Sequence, residues 1–563
     1  MKNIRFILLP LLCTPLLSGC NTEPKHDVTS NIVKFTNTTD EYDVKGNQMT
    51  LYYVDEGNVP YVDVLTFLKE LNGFIDNDVV YYQMDNISHC LNINFEYSGI
   101  IYKGVSIDWR KDLVSGGNNV FRLIVSSTEA TDYGSHIKNV DTYMTGTSQK
   151  TYDLGGYGFD VIKHKDKVLM PLVIANTLFC SQNYYNVFFN GDEAYGCFYE
   201  VDRGNPYYSQ IRQSSFNGEN CPEDLREATV NSLLFILDNY YGLKKYKNID
   251  HFRNYISKSN MDKLYSINPE DNFSGIVGLV YDQLDELHTR INIPSYYAPL
   301  SVNTNYPYGN RRTAFWNRWD IQEDLRNQTF PDGVPPVRYS GDTAIITLDG
   351  FTTGSKAQLF DDQGNLKDDA WKYDSYYYMR YCMDDIKEHN GINDIILDLS
   401  LNGGGNVAAM ERVLGFLSDE TLSLSILDTL TNQAQISYFQ VDTDGNNDYD
   451  NDAYDNYHWS VLTSMNTFSA ANCFTSIAKQ HGIAKIIGQT SGGGMCAVSS
   501  MVLADGTGFT MSSTTTLRYV KVEDGKKVFY GIEDGIVPDM NLDYQYYFDD
   551  NMLVTIADLV KEQ

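Results

Sequence analysis

The segment Ile395–Asn406, I-I-L-D-L-S-L-N-G-G-G-N, constrains this chain more than any other. Its first residues are β-branched and aliphatic, the composition of a buried strand. The run stops at three consecutive glycines, Gly403 to Gly405, and a helical pattern resumes at Val407. A strand that ends in a glycine turn and re-enters as a helix implies an α/β core. Glycines at such a turn also let backbone N–H groups point into a cavity, which an oxyanion hole needs. Further along, Ser469 lies in N-T-F-S-A-A-N-C-F at the start of another helical pattern. Together the two segments imply acyl-transfer chemistry.

At 563 residues the chain has room for three or four domains. Its 74 acidic against 43 basic residues give a formal charge of −31. That balance argues against nucleic acid as a partner and against direct adhesion to anionic lipid. The acidic residues are dispersed except over Asp442–Asp455, D-T-D-G-N-N-D-Y-D-N-D-A-Y-D. Oxygen ligands at near-alternate positions outline a calcium loop, but Ala453 stands where the closing glutamate would be. The segment reads as a solvated loop, and no metal or other cofactor is expected.

At the N-terminus, Lys2 and Arg5 precede an apolar run from Phe6 to Leu17. This is shorter than the roughly 20 residues that span a bilayer. The run closes in L-S-G-C, Leu17–Cys20, which resembles a bacterial lipobox. The resemblance implies cleavage before Cys20 and attachment of lipid to its thiol. Residues 1–19 are therefore read as a lipoprotein signal peptide and 20–40 as a polar, lipidated tether. The mature protein would be anchored in the bacterial cell envelope, facing outside the cytoplasm. Beyond Cys13 and Cys20 there are seven cysteines, an odd number without zinc-type C-x-x-C spacing. The sequence leaves Cys180–Cys197 and Cys197–Cys221 both open as disulfides. Cys473 and Cys496 read as small buried residues rather than nucleophiles.

Residues 41–205 are rich in Tyr, Val, Phe and Asn and read as an α+β domain. Two pieces within it look alike, Val59–Gly73 and Met170–Tyr185. In each a proline ends a strand, an apolar helix follows, and a threonine falls six residues after the proline. The pair resembles the small repeats of copper-amine-oxidase-N-like envelope domains. Gly and Pro residues between Arg203 and Glu223 mark a boundary. From Pro222 the pattern turns helical, through Leu225–Leu237, Phe252–Ile256 and Ile276–Leu287. The last of these ends in L-D-E-L-H-T-R and carries His288 at its end. Residues 291–336 show little periodicity. Thr343–Leu348 reads as a strand and 368–389 as an amphipathic helix.

Four segments in order carry the chemistry. L-D-E-L-H-T-R resembles the D-x-H-T element of the tricorn and C-terminal-processing (tail-specific) family of serine proteases. I-I-L-D-L-S-L-N-G-G-G resembles that family's D-L-R-x-N-x-G-G strand and oxyanion turn. N-T-F-S-A-A-N resembles its T-x-S-A-x-E nucleophile segment, and G-I-E-D-G-I-V-P-D its E-x-x-G-V-x-P-D element. The resemblance covers about residues 222–563. It implies a crotonase-like α/β protease core over 335–563, with a helical subdomain over 222–290. One branch of the family uses a lysine base, but Gly494 stands at that position here. The chain is therefore similar to the tricorn-like branch, with Ser469 as nucleophile, His288 as base and Glu533 orienting the imidazole directly or through a hydroxyl. The backbone N–H groups of Gly404 and Ala470 would stabilise the oxyanion, each worth about 3–4 kcal/mol. Three positions depart from the family pattern: Leu287 replaces a bridging serine, Ser400 an arginine and Asn472 a glutamate. The stretch between His288 and Ala344 is too short for a PDZ domain. His458 and His481 rank below His288 as bases.

The expected activity is that of a serine endopeptidase acting on peptide or protein. The alternative is a catalytically inactive relative that binds peptide or cell-wall polymer.

Overall fold

The computed structural model describes residues 25–117, 130–147, 149–304, 306–449 and 454–562. The signal segment 1–19 and Cys20 lie outside them. The first described strand, Val28–Asn37, falls inside the stretch expected to be a tether. It pairs antiparallel with Gln48–Val54 and parallel with Ala194–Phe198. The correction has a simple cause: I-V-K-F-T alternates with period two, and Val33 and Phe35 point into the core. Polar neighbours mask that short alternation in the sequence.

Seven strands form this first sheet, in the order Ile162–His164, Lys167–Pro171, Tyr61–Asp63, Gln48–Val54, Val28–Asn37, Ala194–Phe198, Tyr185–Phe189. The two look-alike pieces meet here, with Lys167–Pro171 antiparallel to Tyr61–Asp63 and Pro171 opposite Tyr61. Pro171 ends its strand as expected, but Pro60 precedes its own. The matched threonines also differ in use. Thr66 Oγ1 donates to the helix-capping Asp63 at 2.6 Å, while Thr177 Oγ1 donates back to Val173 O at 2.8 Å.

The six-stranded core sheet runs Val337–Ser340, Thr343–Thr347, Asp394–Asp398, His458–Thr463, Lys485–Gly488, Met540–Asn541. All pairings but the first are parallel. Asp394–Asp398 is buried along its whole length, with the apolar run Ile395–Leu397 at its centre. Ile345, Ile396, Leu462 and Ile487 pack to one side against Leu553 and Val560 of the helix Asp550–Lys561. Ile346, Ile395, Leu397 and Val461 face the other side, with Met383, Met410 and Phe474 from the helices Ser375–Glu388, Val407–Gly415 and Ala470–His481.

A further sheet joins the two halves of the chain. Its path is Arg290–Ile293, Gly508–Glu523, Leu422–Asp428, Ala434–Val441, Ile137–Thr145. The last strand comes from the N-terminal region, so that region is stitched into the core rather than appended to it. The helix Glu223–Tyr240 forms where its apolar period predicts. The helix Pro269–Val277 continues as a π-helical segment, Gly278–Leu284, and stops at Asp285 with φ +38°. His288 therefore sits in the turn beyond the helix and not at its end.

Within 291–336 the structure forms a 20-residue helix, Asn310–Thr329. Only Arg312, Phe315 and Gln322 are buried on it, so no apolar stripe betrays it in the sequence. The acidic loop wraps around Asp442, whose carboxylate is buried and accepts the N–H groups of Gly445, Asn446 and Asn447. Residues 450–453 of that loop lie outside the described residues. Among the described residues no helix is long and apolar enough to cross a membrane, and Cys90, Cys180, Cys197, Cys221, Cys382, Cys473 and Cys496 are all free thiols.

Candidate active site

Beyond the strand His458–Thr463 the chain folds into a tight turn before Ser469. Ser464 N–H donates to Thr467 Oγ1 and Asn466 N–H to Ser464 Oγ, both at 2.9 Å. Thr467 Oγ1 in turn donates to Leu399 O at 2.7 Å, tying the turn to the glycine-bearing segment. Ser469 emerges with φ +57° and ψ −119°, a sparsely populated conformation for a residue with a side chain. A serine at a helix start ordinarily caps it. Here the side chain makes no capping bond; its Oγ lies 3.0 Å from His288 Nε2 instead.

His288 is 9% exposed and lies against the Phe468 ring. Its own N–H donates to Glu286 Oε2 at 2.7 Å. Burial lowers the imidazole pKa to about 4; Glu286 pulls it up, and Arg290, Arg311 and Arg312 push it down. The ring is neutral at pH 7. With Nε2 accepting from the serine, Nδ1 carries the proton, and its neighbour is Ser512 Oγ at 3.5 Å. Ser512 is fully buried on the strand Gly508–Glu523. A hydroxyl from a distant strand thus stands where the serine missing at Leu287 was expected to act.

Glu533 does not orient the imidazole, and the expectation is corrected. Its carboxylate is buried, with Oε1 accepting from Arg311 Nη1 and Oε2 from Met495 N–H, both at 2.9 Å. Burial raises its pKa, against the pull of Arg311. Motif order places Glu533 near the site but says nothing about which group its oxygens meet.

The glycine turn requires a second correction. Gly404 N–H donates to Asn402 Oδ1 at 2.9 Å, so it does not face the serine. Gly404 O accepts from Phe351 N–H. In the planar trans peptide that follows, the Gly405 N–H points to the opposite side, away from Phe351. Gly404 carries φ +104°, and a Cβ there would lie 2.8 Å from Ser469 Cβ and 3.0 Å from Ala470 N. Neither Gly405 N–H nor Ala470 N–H has an acceptor among the described residues, and both residues line the cavity that opens onto Ser469.

The unanticipated helix Asn310–Thr329 braces this arrangement through its first residues. Asp285 caps it, accepting Arg311 N–H at 3.0 Å. Arg312 Nη2 donates to the carbonyls of Glu286, Leu287 and Thr289 at 2.9–3.0 Å, gripping the turn that holds His288. The positions that depart from the family pattern have their own bonds. Asn472 Nδ2 donates to Ile532 O at 2.9 Å and its Oδ1 accepts from Ser491 Oγ at 2.7 Å. Ser400 N–H donates to Asp398 Oδ1 at 2.9 Å.

The cavity above Ser469 and His288 measures about 1350 Å³. Leu287, Phe315, Trp316, Trp319 and Phe468 wall it on the core side, and Tyr42, Tyr184 and Tyr199 on the N-terminal side. Cys473 and Cys496 are buried thiols whose pKa burial pushes up. His458 pairs with Asp394 at 3.4 Å and His481 with Ser423 at 3.0 Å, so neither meets Ser469. Among the described residues no three His, Cys, Asp or Glu side chains converge as a metal site.

Residues 342–542 match the family model described as peptidase family S41. The matched span holds Gly404, Ser469 and Glu533; His288 precedes it. A search of curated proteins finds no match. Among solved structures, a putative peptidase from Parabacteroides merdae shares 15% identity over 56% of this chain and 89% of its own, with a TM-score of 0.39. A lipoprotein from Streptococcus agalactiae shares 16% identity over 60% of this chain and 97% of its own, with a TM-score of 0.35. The photosystem II D1 C-terminal processing protease shares 17% identity over 38% and 49%, with a TM-score of 0.27. These three likenesses are distant, and the family match spans residues 342–542 only.

Proposed function

We propose that this chain, which carries a serine-type peptidase domain of family S41, hydrolyses internal peptide bonds through an acyl-enzyme on Ser469, with His288 as base. The 3.0 Å contact between Ser469 Oγ and His288 Nε2 carries the reading. A serine hydroxyl is a weak nucleophile until a base takes its proton. The neutral imidazole accepts that proton as Oγ bonds to the scissile carbonyl carbon. Ala470 N–H and Gly405 N–H then donate to the oxyanion. The imidazolium, uncomfortable in its buried site, returns the proton to the leaving amine as the C–N bond breaks. Water attacks the ester by the same route, and Ser469 is restored. Ser512 Oγ accepts from Nδ1–H and fixes the tautomer, while the Glu286 charge favours the transient imidazolium.

Among the described residues, the two arginines that line the cleft are both engaged, Arg290 with Glu200 and Arg312 with backbone carbonyls. Neither is offered to a substrate's terminal carboxylate, which supports endopeptidase action on peptide or protein. The rival reading, an inactive relative that binds peptide, draws on one observation: a hydroxyl, not a carboxylate, meets Nδ1. A fluorophosphonate probe separates the two. Labelling of the wild type, lost in Ser469→Ala, is expected; an unlabelled wild type that cleaves no peptide in a broad library sinks the enzyme reading.

The L-S-G-C motif supports a membrane-anchored lipoprotein of the bacterial envelope. Cys20→Ser is expected to abolish metabolic lipid labelling and release the protein from the membrane fraction. Retention of both lipid label and membrane association in that variant argues against it.

A further inference from the structure

We propose that the helix Asn310–Thr329 builds the pocket that seats a bulky apolar side chain of the substrate beside the scissile bond. This rests on the reading of Ser469 as nucleophile and adds the substrate class. The peptides selected would carry Phe, Trp, Leu or Met at that position.

Phe315 and Trp319 share one face of the helix, four residues apart, and Trp316 flanks them. Phe315 lies 5.8 Å from Phe468, the residue immediately before Ser469, measured between ring centroids. Trp316 stands 5.3 Å from Phe315 and 5.8 Å from Trp319. At the other end of the patch, the Trp319 ring comes within 3.8 Å of where a Cβ on Gly403 would sit. The aromatic surface is therefore continuous from the residue before the nucleophile to the glycine turn.

Core packing accounts for Phe315, which is 6% exposed, but not for Trp316, which keeps 40% of its surface open. The helix is otherwise strongly polar, so a large exposed indole lining a deep cavity calls for a contact made only with a ligand. The charge pattern fits the same occupant. Of the two arginines at this end of the helix, Arg311 is paired with Glu533 and Arg312 is turned to three carbonyls, so neither offers a counter-ion. A substrate Asp, Glu or Lys entering this wall would lose water without gaining a partner.

The test uses the soluble chain from residue 21 and a set of amidated peptides that differ at the one position beside the cleaved bond. For the wild type, kcat/KM for Phe over Ala is expected to exceed about tenfold, the scale of an apolar pocket. Trp316→Ala and Trp319→Ala should each shrink that ratio several-fold. A preference for Asp, Lys or Gly, or a ratio that both variants leave unmoved, overturns the pocket while leaving Ser469 chemistry standing if the fluorophosphonate still labels. A second arm needs no turnover: the same peptides titrated into Ser469→Ala, read by tryptophan fluorescence, should bind in the order Phe and Leu before Ala before Asp. Equal binding across that series overturns the pocket even where hydrolysis and labelling fail for the wild type.

Discussion

His288 sets the acid side of the activity profile. A free imidazole titrates near 6.5; burial holds this one at about 4. The acid limb of kcat/KM is therefore expected near pH 4, and a limb at 6.5 would show that the ring is not the buried base. The same depression makes stability depend on pH with a definite sign. Between about 6.5 and 4 the unfolded chain takes up a proton that the folded chain refuses, so this contribution is whole above pH 6.5 and falls away toward 4. His288→Gln should flatten that part of the melting curve against pH. Ser469→Ala and His288→Ala should each lower turnover by about 10⁴–10⁶, with the double variant little worse, because the pair acts as a unit. Hydrolysis persisting in Ser469→Ala would place the nucleophile elsewhere.

Two neighbours divide roles that the sequence had given to one. Ser512→Ala is expected to reduce kcat by about tenfold, through loss of the acceptor on Nδ1, with little change in melting temperature. Glu533→Gln removes the charge that Arg311 meets and should cost about 1–3 kcal/mol of stability. The reverse pattern would restore Glu533 as the orienting group. Ser469 and His288 were legible because motif order brings their segments into one fold. Ser512 was not, since it lies 224 residues from His288 on an ordinary Ser/Thr-rich strand. No spacing rule links such positions; only the closure of the sheet does.

At the scale of elements, the glycine turn and the helix Asn310–Thr329 decide how tightly the site is held. The turn was readable from G-G-G, although which N–H it offers depends on Asn402, whose side chain claims the one on Gly404. Gly404→Ala would press a Cβ against Ser469 Cβ and Phe468 O, each 2.8 Å away, from a backbone at φ +104°. Activity should fall at least a hundredfold while near-native secondary structure persists by circular dichroism. Activity within twofold of the wild type would mean that the turn can shift without cost. The helix escaped the sequence reading because its contacts are made by arginines and aromatics at irregular spacing, whereas periodicity arguments count aliphatic stripes. The core strand Asp394–Asp398 was plain for the opposite reason: it is buried throughout, and Ile395, Ile396 and Leu397 make an apolar run at its centre.

At the scale of the molecule, the N-terminal region behaves as part of the peptidase. The strand Ile137–Thr145 pairs along its length with Ala434–Val441, and Asn186 Nδ2 donates to Ser500 O at 3.1 Å within the shared interior. A fragment beginning at residue 206 would expose that edge and the apolar faces beneath it. It should be largely insoluble or melt well below the full chain, and a soluble fragment of unchanged melting temperature would refute the dependence. The same pairing sets an order of events during synthesis. Thr145 leaves the ribosome roughly 290 residues before its partner Ala434. Through that interval the strand has no ladder to join, and an open edge is a template for any extended chain nearby. Exposed Lys138 and Asp141 on this strand offer charge where such an edge most needs a deterrent. Closing the seam is thus a late step, and the nascent enzyme must keep its own first half from finding another partner until the second half arrives.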